Sequence, residues 1–189
     1  MKRLFLLAAV LLFLVGFSIA QTVNEVAART SLVTVAGIIQ TELENHGELV
    51  MGDDSYHSRT RLEKMDNCRA ELSIRRAYKI SASTVRIETT SLSLGALDPF
   101  GIKMQKHWLQ LPCTDKEDCI LSSFCSQNSA DGTVTDCTTR DRKRVSAFSL
   151  EFDGNADSTQ RLEQAFRQAA FTCRHPASAT MLEVVGRWK

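Results

Sequence analysis

Leu162, Ala165, Phe166, Ala169 and Cys173 recur at the spacing of one helix face, and that stripe constrains the fold more than any other feature of the chain. Arg161, Glu163, Gln164, Arg167 and Gln168 fall on the other faces. An amphipathic helix must lay its stripe on something, and apolar strands immediately precede it. Val145–Phe152 reads as a strand that turns through Asp153-Gly154-Asn155 into the helix. Asn155 is the expected N-cap, with Asp157 favoured by the helix dipole. Asp153, Asn155 and Asp157 also match the start of a calcium loop. Ser158 and Gln164 stand where that loop needs Gly and Glu, so capping explains these residues better.

The opposite end of the chain reads as an export signal. Lys2 and Arg3 precede an apolar run from Leu4 to Phe17, and Ser18-Ile19-Ala20 supplies small residues for cleavage before Gln21. The run is short for a membrane span. The expected organisation is a signal peptide over 1–20 and a single domain over 21–189, exported to a periplasmic or secreted location. Loss of Lys2 and Arg3 reduces the 23 Lys and Arg to 21, against 22 Asp and Glu. That near-balance argues against nucleic acid as a partner and against an anionic membrane surface.

Six cysteines follow: Cys68, Cys113, Cys119, Cys125, Cys137 and Cys173. An even count behind an export signal reads as disulfides, and no C-x-x-C pair suggests zinc or thioredoxin-like chemistry. Cys113, Cys119, Cys125 and Cys137 cluster in a polar excursion over 113–137, while Cys68 and Cys173 flank the core. The expected pairing is Cys113–Cys119, Cys125–Cys137 and Cys68–Cys173.

Between these ends the pattern is largely β. Leu32, Val35, Ala36, Ile39 and Leu43 predict a first helix, with Ser31 as N-cap and Gly47 just past its end. Strands are expected over Ser58–Met65, from Cys68 to Arg75, around Val85 and Ile87, and over Ile102–Leu111. Cys68, Ala70, Leu72 and Ile74 alternate with polar residues and should face the core. Val85 and Ile87 are read inward, with Arg86 and Glu88 outward. Within Ile102–Leu111 the parity changes after Trp108, so a bulge is expected, with Trp108 inward and His107 outward. The tail Ala177–Lys189 is apolar enough to add a strand or to pack on the sheet.

The fold class is therefore α+β: an antiparallel β-meander or partly closed barrel with an N-terminal helix and a C-terminal capping helix. In element order this resembles the plan of pleckstrin-homology-like domains, a likeness that implies no function. The chain shows no G-x-S-x-G, H-E-x-x-H or phosphate-binding glycine loop, and neither a catalytic set nor a cofactor is assigned. Two weaker groups remain. His46, Asp53, Asp54 and His57 form a polar cluster chemically suited to a metal, at no defined ligand spacing. Arg140, Arg142, Lys143 and Arg144 form a basic patch that could meet an acidic partner. The expected function is a non-catalytic exported module that binds another exported protein or an envelope component. A small apolar ligand inside a barrel, beside Leu72, Val85, Trp108 and Phe148, is the second expectation. A secreted enzyme using His46, His57 or His107 with a carboxylate is the third.

Overall fold

The computed structural model describes residues 30–52, 55–78, 84–114, 119–128, 134–135 and 143–174. The expected export segment, the apolar tail and most of the loop between Cys125 and Lys143 lie outside these.

Helix α1 covers residues 30–46 and buries Val35, Ile39 and Leu43, as their spacing requires. Ser31 is not its cap. The helix already includes residue 30, and Ser31 Oγ instead accepts a hydrogen bond from Gln168 at 3.2 Å. Gly47 does end the helix: its N–H donates to the Leu43 carbonyl at 2.9 Å, and its own carbonyl accepts from Thr60 N at 2.7 Å. A Cβ at position 47 would collide with both the Leu43 and Thr60 carbonyl oxygens, so only glycine fits.

Strands β1 (Glu48–Met51), β2 (Tyr56–Asp66), β3 (Arg69–Tyr78) and β4 (Thr84–Ser93) then run as an antiparallel meander. Asn67 and Cys68 join β2 to β3 with φ of 40° and 63°, so Cys68 sits in the two-residue hairpin turn and not in the strand. A 3-10 turn at Leu94–Ala96 leads to a hairpin of β5 (Lys103–Gln105) and β6 (Trp108–Pro112). The chain then returns as β7 (Ile120–Asn128), which pairs with β4. Two short strands, β8 (Val134–Thr135) and β9 (Lys143–Val145), share the far edge of β7. Strand β10 (Ala147–Glu151) pairs with β6, and helix α2 (Ala156–Arg174) follows.

The result is α+β, with a large antiparallel sheet β1-β2-β3-β4-β7 bearing its two short edge strands and a second sheet β10-β6-β5. Neither sheet closes on itself. The strand expected over Val145–Phe152 is divided at Ser146, whose carbonyl accepts from Cys113 N at 2.8 Å. One half joins the large sheet and the other the small one, so this segment carries the chain between layers.

The expected strand over Ile102–Leu111 is also divided. Lys106 takes a φ of 53° and turns the chain at Lys106-His107, pairing Gln105 with Trp108. This turn, not a bulge, produces the change of parity. Leu109 and Leu111 point into the core and Trp108 is 37% exposed, reversing the expected orientation of the indole.

Both helices and the small sheet contribute to one apolar core with Ala70, Leu72, Ile74, Leu92 and Ile120 of the large sheet. The α2 stripe behaves as its spacing demands: Leu162, Ala165, Phe166 and Ala169 are buried. Asn155 Oδ1 caps α2 by accepting from Ser158 N at 2.9 Å. The other flank of α2 is used as well, since Arg161 pairs with the buried Glu42 of α1 and Arg167 donates to the Ile102 carbonyl. At its far end Cys173 is bonded to Cys68. There Gly95 permits the close approach, because a Cβ would lie 3.0 Å from the Cys173 carbonyl oxygen. The Cys113–Cys119 disulfide lies at the same end, since Ser93 N donates to Cys119 O and Leu94 N to Cys68 O.

The two disulfides should differ in worth. Cys68–Cys173 spans 105 residues and Cys113–Cys119 spans 6. Replacing each pair by alanine should cost about 5 and about 2 kcal/mol respectively in equilibrium urea unfolding. Equal costs would mean that the long loop is not what the bond restrains.

Candidate functional site

The inner face of the large sheet changes character along its length. Pairing register places Ala70, Leu92 and Ile120 in one row next to the disulfide end, and all three are buried. The following rows add Leu72 with Thr90 and Ser122, then Thr60 and Ile74 with Glu88 and Phe124. Beyond these come Ser58, Arg76, Arg86 and Ser126, and finally the pair Tyr56 and Tyr78. An apolar floor thus becomes polar and aromatic within five rows.

This overturns the expected parity of β4. Glu88 is 7% exposed and Thr90 0%, whereas Val85 and Ile87 lie on the opposite face. Leu92 is fixed in the core beside Ala70 and Ile120, and period-2 geometry then carries Thr90 and Glu88 inward with it. Glu88 tolerates the position because Arg76 Nη1 donates to its Oε2 at 2.5 Å. Arg76 Nε donates in turn to Glu151 Oε1 at 2.7 Å. One guanidinium therefore holds a carboxylate from each sheet, with all three side chains largely buried.

The surrounding groups complete a network. Tyr56 donates its hydroxyl to Glu151 Oε2 at 2.6 Å, and Thr60 donates to the Glu151 carbonyl at 2.9 Å. Thr90 and Ser122 share a hydrogen bond of 2.8 Å. Burial, and then the hydrogen bond to Glu151, push the Tyr56 phenol well above the ordinary tyrosine range. Burial alone would lower the Arg76 pKa, but its hydrogen bonds to Glu88 and Glu151 outweigh that and keep the guanidinium charged. Ser58 is 1% exposed, and its Oγ has no hydrogen bond of good geometry although it lies beside the Tyr56 phenol. A buried hydroxyl without a partner is uncommon enough to need a reason.

The rim of the site is aromatic and cationic. Tyr56 and Tyr78 pack with ring centroids 5.1 Å apart, and Tyr78 is 46% exposed. The Arg86 guanidinium lies 4.3 Å from the centre of the Phe124 ring, a cation–π contact.

The residues singled out from the sequence are dispersed. Cys68–Cys173 and Cys113–Cys119 pair as expected, and Cys125 is also disulfide-bonded; its expected partner Cys137 lies outside the described residues. Of the polar cluster, His46 meets Phe152 in a T-shaped arrangement with ring centroids 5.8 Å apart, and His57 pairs with Glu48 at 2.7 Å. Asp53 and Asp54 lie outside the described residues. So do Arg140 and Arg142, while Lys143 and Arg144 are described only as backbone of β9. Two histidines do meet carboxylates, His57 with Glu48 and His107 with Asp153 at 3.3 Å, but both pairs are about half exposed and open to water. The four residues expected to line a cavity do not converge: Leu72 and Phe148 are in the core, Val85 is on the other face of the sheet and Trp108 faces outward. Among the described residues no group of three or more His, Cys, Asp or Glu is placed to hold a metal ion, and no helix is long and apolar enough to cross a membrane.

Comparison of the chain with protein-family models, curated proteins and solved structures gives no match. The Arg76 network is thus read from its own geometry. It escaped the sequence pattern because Glu88 and Arg76 look like ordinary solvent-side residues of alternating strands. The one available signal was Leu92, whose parity contradicts that of Val85 and Ile87.

The network carries a pH signature. An unfolded chain ionises Tyr56 near pH 10, whereas the folded site keeps it neutral, so this contribution to stability is present below pH 10 and lost as pH rises above it. Absorbance titration should show the Tyr56 phenolate forming only well above that range, and Tyr56→Phe should remove that step alone. A Tyr56→Phe difference centred near pH 10 would show that the phenol is not held by Glu151.

Proposed function

We propose that the chain is a non-catalytic exported domain that presents the outer face of its large sheet to the acidic surface of another exported protein. The observation that carries this reading is the one-sided packing of the fold. Both helices and the small sheet lie on the inner face, and no described element covers the outer one.

That outer face carries arginines at close quarters. Arg59 of β2 and Arg75 of β3 stand directly opposite each other in the register, with Arg61 two residues along. Like charges at opposed positions weaken a sheet, so their presence is better explained by a partner than by stability. Arg59 is paired with Glu48 at 3.1 Å and Arg75 is bonded to Gln127, while Arg61 has no ion-pair partner among the described residues. Thr89, Ile87 and the 37%-exposed Leu121 extend the same face across β4 and β7. A mixed cationic and apolar surface suits a protein better than a uniform polyanion. Disulfides are compatible with an oxidising, extracytoplasmic setting, and together with the signal-like first twenty residues they support export.

Site-specific photo-crosslinking in the producing cells tests the reading. A benzophenone side chain at position 61 or 89 should capture a protein adduct that is lost when Arg59 and Arg75 are both changed to Glu. The same probe at Gln40, on the exposed side of α1, should capture none. Equal capture at all three positions, or adducts indifferent to the charge reversal, would contradict it.

A further inference from the structure

The opposite face of the same sheet carries its own row of polar residues. Ser58, Arg76 and Arg86 occupy one cross-strand row on β2, β3 and β4. Neighbouring strands lie about 4.8 Å apart, so the row is roughly 10 Å long.

Each of the three carries side-chain hydrogen-bond donors. The Ser58 hydroxyl is buried without a good partner. Arg76 spends Nε and Nη1 on Glu151 and Glu88, and no partner of Nη2 is found among the described residues. Arg86 has no carboxylate partner among the described residues, and its guanidinium instead lies over the Phe124 ring. The row offers these donors together with two adjacent guanidinium groups, an arrangement that costs stability unless something neutralises it. Glu88 and Glu151 balance the two guanidinium charges in total, and Arg86 itself makes no direct ion pair among the described residues.

We infer that this row binds an oxyanion, a carboxylate or a phosphate ester, borne on an aromatic or apolar body. A planar guanidinium pre-oriented by an aromatic ring is suited to two parallel hydrogen bonds with such a group. The half-exposed Tyr78 ring and the edge of Phe124 provide the surface on which the body rests. Arg76 does not act here as a free cation, because its two carboxylates hold it in place within the row. The site uses the inner face, so it can be occupied whether or not the outer arginines meet a partner.

The test uses the oxidised protein, with benzoate and phenylphosphate as the two oxyanion probes and benzylamine as a cationic control. Backbone amide resonances of β2, β3 and β4 around Ser58, Arg76 and Arg86 should shift on addition of at least one oxyanion, and which probe binds tighter identifies the headgroup. Arg86 is exposed, so Arg86→Ala should fold normally and weaken binding about tenfold or more. Arg86→Lys should recover part of the loss, and Ser58→Ala should weaken binding by a smaller factor. The inference is overturned if neither probe moves these resonances, if Arg86→Ala binds as well as the parent, or if benzylamine binds the same row more tightly. Inorganic phosphate binding as tightly as phenylphosphate would overturn the part assigned to Tyr78 and Phe124.

Discussion

The Arg76 guanidinium, gripped by Glu88 from its own sheet and by Glu151 from the other, is the contact on which the polar half of this molecule depends. Taking two carboxylates and a guanidinium out of water costs several kcal/mol per ion, and the pairing offsets that only when the geometry is good and the remaining atoms are satisfied. Here Tyr56 fills the second oxygen of Glu151, and Thr90 lies 3.5 Å from that of Glu88. Removing Arg76 would strand two buried carboxylates, whereas removing either glutamate would leave a one-to-one pair. The network is thus more informative about specificity than about net stability: it fixes which face of β4 is inward and how β10 meets the large sheet.

The two ends of the sheet are built on different principles. At one end the 3-10 turn, the β2–β3 hairpin turn and the end of α2 are held by two disulfides and by Arg174, which reaches the Leu97 carbonyl at 2.9 Å and Thr114 at 2.7 Å. Apolar packing and covalent bonds do the work there. At the other end the apolar residues give way to serine, threonine, tyrosine and arginine, and cohesion comes from directed hydrogen bonds. Covalent bonds and apolar packing at one pole would give the proposed binding groups at the other a frame that does not move with them.

How much of this could be read from the residues alone depends on whether a segment obeys its own period. The α2 stripe does, and so do Val35, Ile39 and Leu43 of α1, because one buried face at 3.6-residue spacing admits a single orientation. The Cys68–Cys173 bond followed from the position of those residues on either side of the core. The small sheet was obscured by positive-φ geometry at Lys106, a lysine that carries no turn signature. Strand β4 was misread for a different reason: its apolar residues occupy both faces, and the deciding information is the identity of a residue on β3. Charge pairing between strands is a tertiary fact that hydrophobic alternation does not encode. Apart from the parity of Leu92, the candidate site leaves no mark on the pattern, being composed of residues from β2, β3, β4, β7 and β10 that are up to 95 positions apart.

A double-mutant cycle on Arg76 and Glu151 addresses the central claim most directly. Stability would be measured by equilibrium denaturation for the parent, Arg76→Met, Glu151→Gln and the double variant. If the guanidinium and the carboxylate sustain each other, the cycle should return a coupling of about 2 kcal/mol or more, with the double variant far less impaired than the two single losses added together. Additive losses, with a coupling near zero, would mean that the two groups are neighbours by accident, and the polar end of the sheet would need another explanation.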